Sequence, residues 1–524
     1  MNGIVEIFVG LLLAVAVLGL LARRLHIPYP ILFVIGGLVL GLIPELPRVR
    51  LNSELVFLFF LPPLLFPAAV FTSWRDFRAN LRPISLLAVG LVVFTMIAVA
   101  GITHYFMHLP LAVGFVLGAI ISPPDAVAAT AIAQRLKIPR RIVTILEGES
   151  LVNDATALVV LRFAVLAVAG GPFAWIGVGR QFFLVSAGGI LLGLAIGWLA
   201  VQFHRRVEDA AIGITVSLLT PYAAYLLADR AGVSGVLAVV AAGLYIGRRM
   251  PEIFNSETRL RGGPVWEMIE FLLNGFVFIL IGLQLPEVMQ GLSDHAIPIH
   301  RLVWYALLIS LAVVVIRILW VFPATYLPRL IFKKFCRRDP YPSWRHVTII
   351  AWTGMRGVVS LAAALALKEN FPNRYLILFL TFIVILATLV VQGLSLPFLI
   401  RWLKIEDDGS LEKEEREARL QANQAALAKL NEIAKRDVVK TDALQRLRVE
   451  YEDHISQLTS AGSEPAGRPL RLFSSEYERL SRSALQQERK TIIQLRDQGV
   501  ISDEALRRIQ WDIDLAEARL REHQ

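Results

Sequence analysis

Cysteine is almost missing from this chain, and charge is scarce over most of its length. A single thiol, Cys336, excludes a disulfide framework and a cysteine-built metal site. Only 18% of the 524 residues are charged, 56% are hydrophobic, and the mean hydropathy is +0.59. Soluble domains carry more charge than this, so lipid is the expected solvent for most of the chain. The sequence also lacks HExxH, Gly-x-Ser-x-Gly and paired His-acid sets, which argues against a membrane-embedded hydrolase, and no cofactor is expected. Residues 1–10 have no positive n-region, so the first apolar run reads as a retained span and not a cleaved signal.

What is present divides in two. Residues 1–403 are runs of Leu, Val, Ile, Ala, Phe and Gly, whereas 404–524 are dominated by Glu, Arg, Lys, Gln and Asp. The expected division is a transmembrane unit, 1–403, followed by a charged helical tail, 404–524. A net charge of +10 would suggest nucleic acid in a soluble protein. Here the basic residues sit in short connectors, where they act as topology signals, so no nucleic-acid partner is expected. A bilayer core takes roughly 17–25 apolar residues in a helix, and about thirteen stretches qualify. Connectors rich in Arg and Lys (Arg23 and Arg24; Arg75, Arg78 and Arg82; Lys137, Arg140 and Arg141; Lys333 to Arg338) alternate with poorer ones holding Arg48, Arg50, Arg230 or Arg374. The positive-inside rule then puts the N-terminus outside and the tail in the cytoplasm of a cell inner membrane.

An odd number of spans accommodates two inverted six-helix repeats joined by a linking span, the arrangement of many secondary transporters. Its signature is a pair of broken helices in equivalent positions. The fifth span, at about 110–134, carries Ser122, Pro123, Pro124 and Asp125 at its centre, and two prolines remove backbone donors there. The twelfth, at about 346–367, carries Thr353, Gly354, Met355, Arg356 and Gly357. Pro and Gly also kink ordinary spans, but the paired position favours breaks in helices 5 and 12. The predicted fold is therefore an all-α polytopic membrane protein with a helical tail.

Ionisable groups in a membrane helix cost roughly 2.5–3.5 kcal/mol each, so they pair, face a cavity or work. The sixth span holds Glu147, Glu149, Ser150, Asn153 and Asp154. Asp154 lies about twelve residues in, roughly 18 Å at helical rise, near the depth of Asp125 and Arg356. Ser150 and Asp154 are one turn apart, as are Glu149 and Asn153, giving two adjacent polar stripes. Oxygen ligands suit a hard monovalent cation, and Asp154, Asp125, Ser150 and the carbonyls freed at Pro124 and Gly354 supply them. A desolvated carboxylate holds a proton or a cation but not both, which couples the two as an exchange. Arg356 is suited to neutralise Glu149, as a structural ion pair. Glu147, nearer the cytoplasmic boundary, reads as a funnel or topology residue. Arg162 and Arg317 have no visible partner in sequence, leaving snorkelling or an unidentified acid. An ion channel would instead show a repeated pore loop or a charged ring.

Ser122-Pro-Pro-Asp125-Ala-Val, Glu147-Gly-Glu-Ser-Leu-Val-Asn153-Asp154 and Gly354-Met-Arg356-Gly resemble the three signature segments of the sodium/proton exchanger family, in its Asn-Asp branch. The resemblance covers about residues 5–403. It implies that Asp154 binds cation or proton, with Ser150 beside it as a second Na+ ligand, that Asn153 braces the site, and that Arg356 pairs with Glu149. It also implies a homodimer and a moving six-helix core. The chain departs from the family at Pro124-Asp125-Ala126, where a hydroxyl-bearing residue often precedes the acid. Asn153, in place of a second Asp, leaves one exchanging carboxylate and an expected electroneutral one-for-one exchange serving pH and sodium homeostasis. Na+ is preferred over Li+ by resemblance alone, and K+/H+ exchange is the alternative.

In the tail, Leu444, Leu447, Tyr451, Ile455 and Leu458 keep helical spacing, as do Leu506, Ile509, Ile513, Ala516 and Leu520. Gly499 and Ser502 read as a helix stop and an N-cap, and 460–468 reads as a loop. The tail is either a solvated helical appendage or a regulatory or dimer-stabilising cytoplasmic module.

Overall fold

The computed structural model describes residues 2–43, 56–136, 138–168, 175–293, 298–331, 342–405, 409–436, 442–459 and 475–521. The expected loop at 460–468, Cys336, Lys137, Arg48, Arg50 and the basic run from Lys333 to Arg338 lie outside these. Among the described residues every regular element is helical. The first half runs α1 (Asn2–Leu25), α2 (Tyr29–Gly41), α3 (Leu61–Phe71), α4 (Trp74–Ala79), α5 (Leu81–Ser85), α6 (Val92–Met107), α7 (Leu111–Ile121), α8 (Ala126–Arg135) and α9 (Arg140–Val168). Next come α10 (Trp175–His204), α11 (Ala210–Arg230), α12 (Gly235–Ile253), α13 (Ser256–Leu283) and α14 (Leu285–Ser293). The apolar part ends with α15 (Ile299–Ile331), α16 (Trp344–Trp352), α17 (Val358–Leu365) and α18 (Arg374–Trp402). Four polar helices follow: α19 (Ser410–Arg436), α20 (Asp442–Thr459), α21 (Ser475–Asp497) and α22 (Asp503–Arg521).

Among the described residues, eight helices are long and apolar enough to cross a membrane by length and composition, and three shorter apolar ones accompany them at 29–41, 57–71 and 111–121. The difference from a count of about thirteen lies in the short and interrupted elements and in α12, which is 19 residues long but carries Arg248, Arg249 and Glu252. The interruptions fall where the sequence places them, at 122–125 between α7 and α8 and at 353–357 between α16 and α17. Connector side chains start the helices. Ser73 caps α4 through the Asp76 amide, Asp209 caps α11 through Ile212, Ser234 caps α12 through Leu237 and Asn255 caps α13 through Thr258.

Apolar helices in lipid gain little from the hydrophobic effect against one another, so close packing holds them. Helices α2 and α13 show this. A Cβ on Gly37 would lie 2.1 Å from the Ile279 carbonyl oxygen, and one on Gly282 would lie 2.4 Å from that of Val34. The backbones touch because neither residue carries a side chain. Phe33, Phe278, Ile349, Met355 and Phe382 fill the cluster beside this contact. It wraps the second helix break.

Candidate functional site: crossed helix breaks and a buried carboxylate

The two breaks meet. Pro124 and Arg356 form an isolated antiparallel bridge, and the Asp125 amide donates to the Met355 carbonyl at 2.7 Å. Proline at 123 and 124 removes two amides that would otherwise continue α7 into α8, so the chain crosses in extended form. Asp125 then caps the start of α8, its Oδ1 accepting from the Val127 amide at 2.8 Å. Its other oxygen faces Gly357, where a Cβ would stand 1.9 Å from Oδ2. The carboxylate thus lies at the positive starts of both α8 and α17. Glycine at 357 is required by this approach.

Helix α9 runs unbroken beside the crossing and presents its two stripes to it. Asn153, fully buried, donates Nδ2 to the Pro124 carbonyl at 3.0 Å, and its Oδ1 has no partner among the described residues. Ser150 Oγ accepts from the Ala126 amide at 3.4 Å. Asp154 is 6% exposed and lies within electrostatic reach of Asp125. Among the described residues no donor hydrogen-bonds its carboxylate. A buried carboxylate without a donor needs a proton or a cation.

The expected pairing of Glu149 with Arg356 is corrected. Arg317 of α15 grips the Glu149 carboxylate through both ends of its guanidinium, Nη1 to Oε1 at 2.5 Å and Nη2 to Oε2 at 2.8 Å, with both residues 1% exposed. The same guanidinium donates Nε and Nη2 to the Ile350 carbonyl at 3.2 and 3.0 Å, at the negative end of α16. Arg317 wins because it reaches a bidentate geometry on the carboxylate and a helix end together. Arg356 turns back on its own break: its amide donates to Thr388 Oγ1 at 3.0 Å and Nη1 to the Gly354 carbonyl at 2.9 Å. Its Nε and Nη2 have no partner among the described residues, although Glu149 and Arg317 are its electrostatic neighbours. The carbonyls of Pro124 and Gly354, expected to be open to a cation, already accept from Asn153 and Arg356.

Sequence reasoning missed two participants. Thr388 on α18 gives no local signal, since nothing separates it from Thr381 and Ser395 in the same apolar helix. Glu270 on α13, an electrostatic neighbour of both Asp125 and Glu147, was detectable as an acid in an apolar span. Arg162 is exposed on α9, as a snorkelling residue would be. A cavity of about 1030 Å³ is walled by α1, α8 and α18 through residues such as Ala16, Ile132 and Gly393, with Tyr29 and Phe271 also lining it, and no residue of the crossing is in its lining.

Residues 10–402 match the family described as "Sodium/hydrogen exchanger, transmembrane". An uncharacterized Na+/H+ exchanger of Mycobacterium tuberculosis is 35% identical over 98% of this chain and 96% of its own length. A Na+/H+ antiporter of Aphanothece halophytica is 32% identical over 87% of this chain and 84% of its own. A sodium, potassium, lithium and rubidium/H+ antiporter of Bacillus subtilis is 36% identical over 71% of this chain and 58% of its own. Among solved structures, the sodium proton antiporter MjNhaP1 of Methanocaldococcus jannaschii superposes with a TM-score of 0.61 at 20% identity. That likeness covers 77% of this chain and all of that one, and it concerns the fold.

Proposed function

This chain belongs to the sodium/hydrogen exchanger family, and from that premise we propose that it exchanges Na+ for H+, one for one, by alternating access across a cell inner membrane. The family is one of cation/proton antiporters and not of enzymes. The observation that carries the reading is Asp154: a buried acid, beside a second acid, with no protein donor among the described residues. In this reading the Asp154 carboxylate, with Asp125 and Ser150 near it, holds either a proton or a dehydrated cation. Asn153 and Arg356 hold the crossed breaks in shape through the Pro124 and Gly354 carbonyls. Arg317 neutralises Glu149, and Asn153 stands where a second exchanging Asp could be, so Asp154 is left to trade one proton for one monovalent ion, which favours electroneutral exchange.

The finer architecture belongs to the same proposal. It has thirteen crossings, two inverted repeats with helices 5 and 12 broken, a transmembrane unit at 1–403 and a cytoplasmic tail at 404–524, with the N-terminus outside. Helix α1 leaves much of its apolar length uncovered, a face that a second copy in a homodimer can take. The oxygen ligands do not discriminate sharply against Li+ or K+, and the Bacillus relative's name covers several cations. Exchange in inside-out vesicles with each cation in turn, at clamped membrane potential, tests the proposal. Na+-driven proton movement insensitive to potential is expected; exchange driven by potential alone would refute the one-for-one stoichiometry.

A further inference from the structure

Helix α22 carries a polar stripe, Asp503, Arg507, Gln510 and Asp514, at the three- and four-residue spacing of one helix face. On a solvated appendage that stripe would face water. Here Gln510 is 3% exposed and Asp514 1%, because the stripe lies against the apolar unit. Arg259, at the start of α13, donates Nε and Nη2 to the two oxygens of Asp514 at 2.7 and 2.5 Å, and is itself 8% exposed. Gln510 donates to the Pro251 carbonyl of α12 at 3.4 Å, and Arg496 to the Arg248 carbonyl at 2.9 Å.

The other end of α22 binds a different set of elements. Ser73 donates to Asp503 at 2.7 Å, Arg75 donates to the Ile501 carbonyl at 3.0 Å, and Glu504 lies 3.5 Å from Arg140. Arg140 opens α9, the helix that bears Asp154, and also pairs with Asp76 of α4. Between the two ends, Arg507 stands over the Phe71 ring, 6.0 Å from its centroid, with Glu147 an electrostatic neighbour. The adjacent face of α22, with Leu506, Ile509 and Ile513, packs into a core shared with Ala418, Ala422, Leu485 and Ile492 of α19 and α21. The tail therefore has a core of its own.

We propose that α22 is an intramolecular clamp: it ties the start of α9 to α12 and α13, holds one of the two access states, and must let go for the exchanger to turn over. The inference rests on the alternating-access reading, in which the helix carrying Asp154 moves against its neighbours. A contact made in one state only biases the equilibrium by its full differential energy. Typical couplings of this kind change an affinity by about 5- to 150-fold.

Two perturbations of the full chain, reconstituted in vesicles, test the clamp in opposite directions. Arg259→Ala removes the α13 side of the grip on Asp514, whose Oδ1 then keeps only Arg489 of α21 at 2.8 Å, and should raise the initial exchange rate by about fivefold or more. In a Cys336→Ser background, Ser73→Cys with Asp503→Cys places two thiols where hydrogen-bonded side chains now meet. Oxidation should slow exchange several-fold, and reductant should restore it in the same preparation. Unchanged rates in both, or a fall on releasing Arg259 with no effect of the cross-link, would overturn the clamp while leaving wild-type exchange intact. Wild-type vesicles without any cation-driven proton movement would overturn the antiport reading itself, and the clamp with it.

Discussion

Arg317 is the residue on which the geometry departs most from expectation, and its removal gives a large, readable effect. Arg317→Ala would leave Glu149 buried at 1% exposure with no guanidinium on either oxygen and would strip two donors from the Ile350 carbonyl. Breaking a buried pair by deleting one partner costs about 3–5 kcal/mol, because the remaining charge keeps its desolvation penalty. Arg317→Met combined with Glu149→Gln removes both charges and should recover most of that loss. Arg356→Ala should cost less than Arg317→Ala, since both leave a cavity but only the loss of Arg317 strands a carboxylate, whereas Arg356 takes a side-chain donor from the Gly354 carbonyl alone. Unfolding of the four purified proteins in detergent, followed by heating and size exclusion, reads the order directly. If Arg356→Ala proved the more damaging substitution, and Arg317→Ala were as stable as the parent, the assignment of Glu149 to Arg317 would be refuted.

Gly357→Ala puts a Cβ 1.9 Å from Asp125 Oδ2, so the crossing must open; exchange should fall at least tenfold while the chain still inserts, measured in vesicles against protein content. Asn153→Ala frees the Pro124 carbonyl and should cost about 1–3 kcal/mol of stability, with Asn153→Asp no better because a carboxylate offers that carbonyl no donor. In the tail, burial pushes the Glu488 carboxyl up to about 7, against the Tyr451 hydroxyl that favours its charged form. A carboxyl raised in the folded state stabilises it fully below its unfolded pKa of about 4.5, and that contribution is lost as pH rises through about 7. Amide exchange across 475–497, corrected for intrinsic rates, should therefore quicken from pH 5 to pH 8 in the parent and stay flat in Glu488→Gln.

Much of this arrangement was legible in the sequence because the bilayer makes exceptions conspicuous. Two prolines before Asp125, and Gly354 and Gly357 around Arg356, mark breaks that the helices respect to within a residue or two. The four-residue steps from Ser150 to Asp154 and from Glu149 to Asn153 fixed which side chains could share a face. In the tail, Gly499 takes a φ of +76° and Ser502 caps α22 through the Ala505 amide, as their residue types suggested. The partners were not legible. Arg317 stood out as a cation lacking an acid, but nothing in sequence spacing says which of two guanidiniums reaches Glu149 across a helix interface. Nor does the charge pattern of α22 reveal that its polar stripe is buried, since a stripe of this kind is ordinarily solvated.

Proton release on cation binding tests the central claim most directly. Purified protein in weakly buffered detergent solution, titrated with NaCl at each of a series of pH values, should release protons as Na+ saturates. Asp154→Asn should abolish the release, whereas Glu149→Gln together with Arg317→Met should retain it. Undiminished proton release from Asp154→Asn would contradict the account, because the competition of the two ions would then lie at another group.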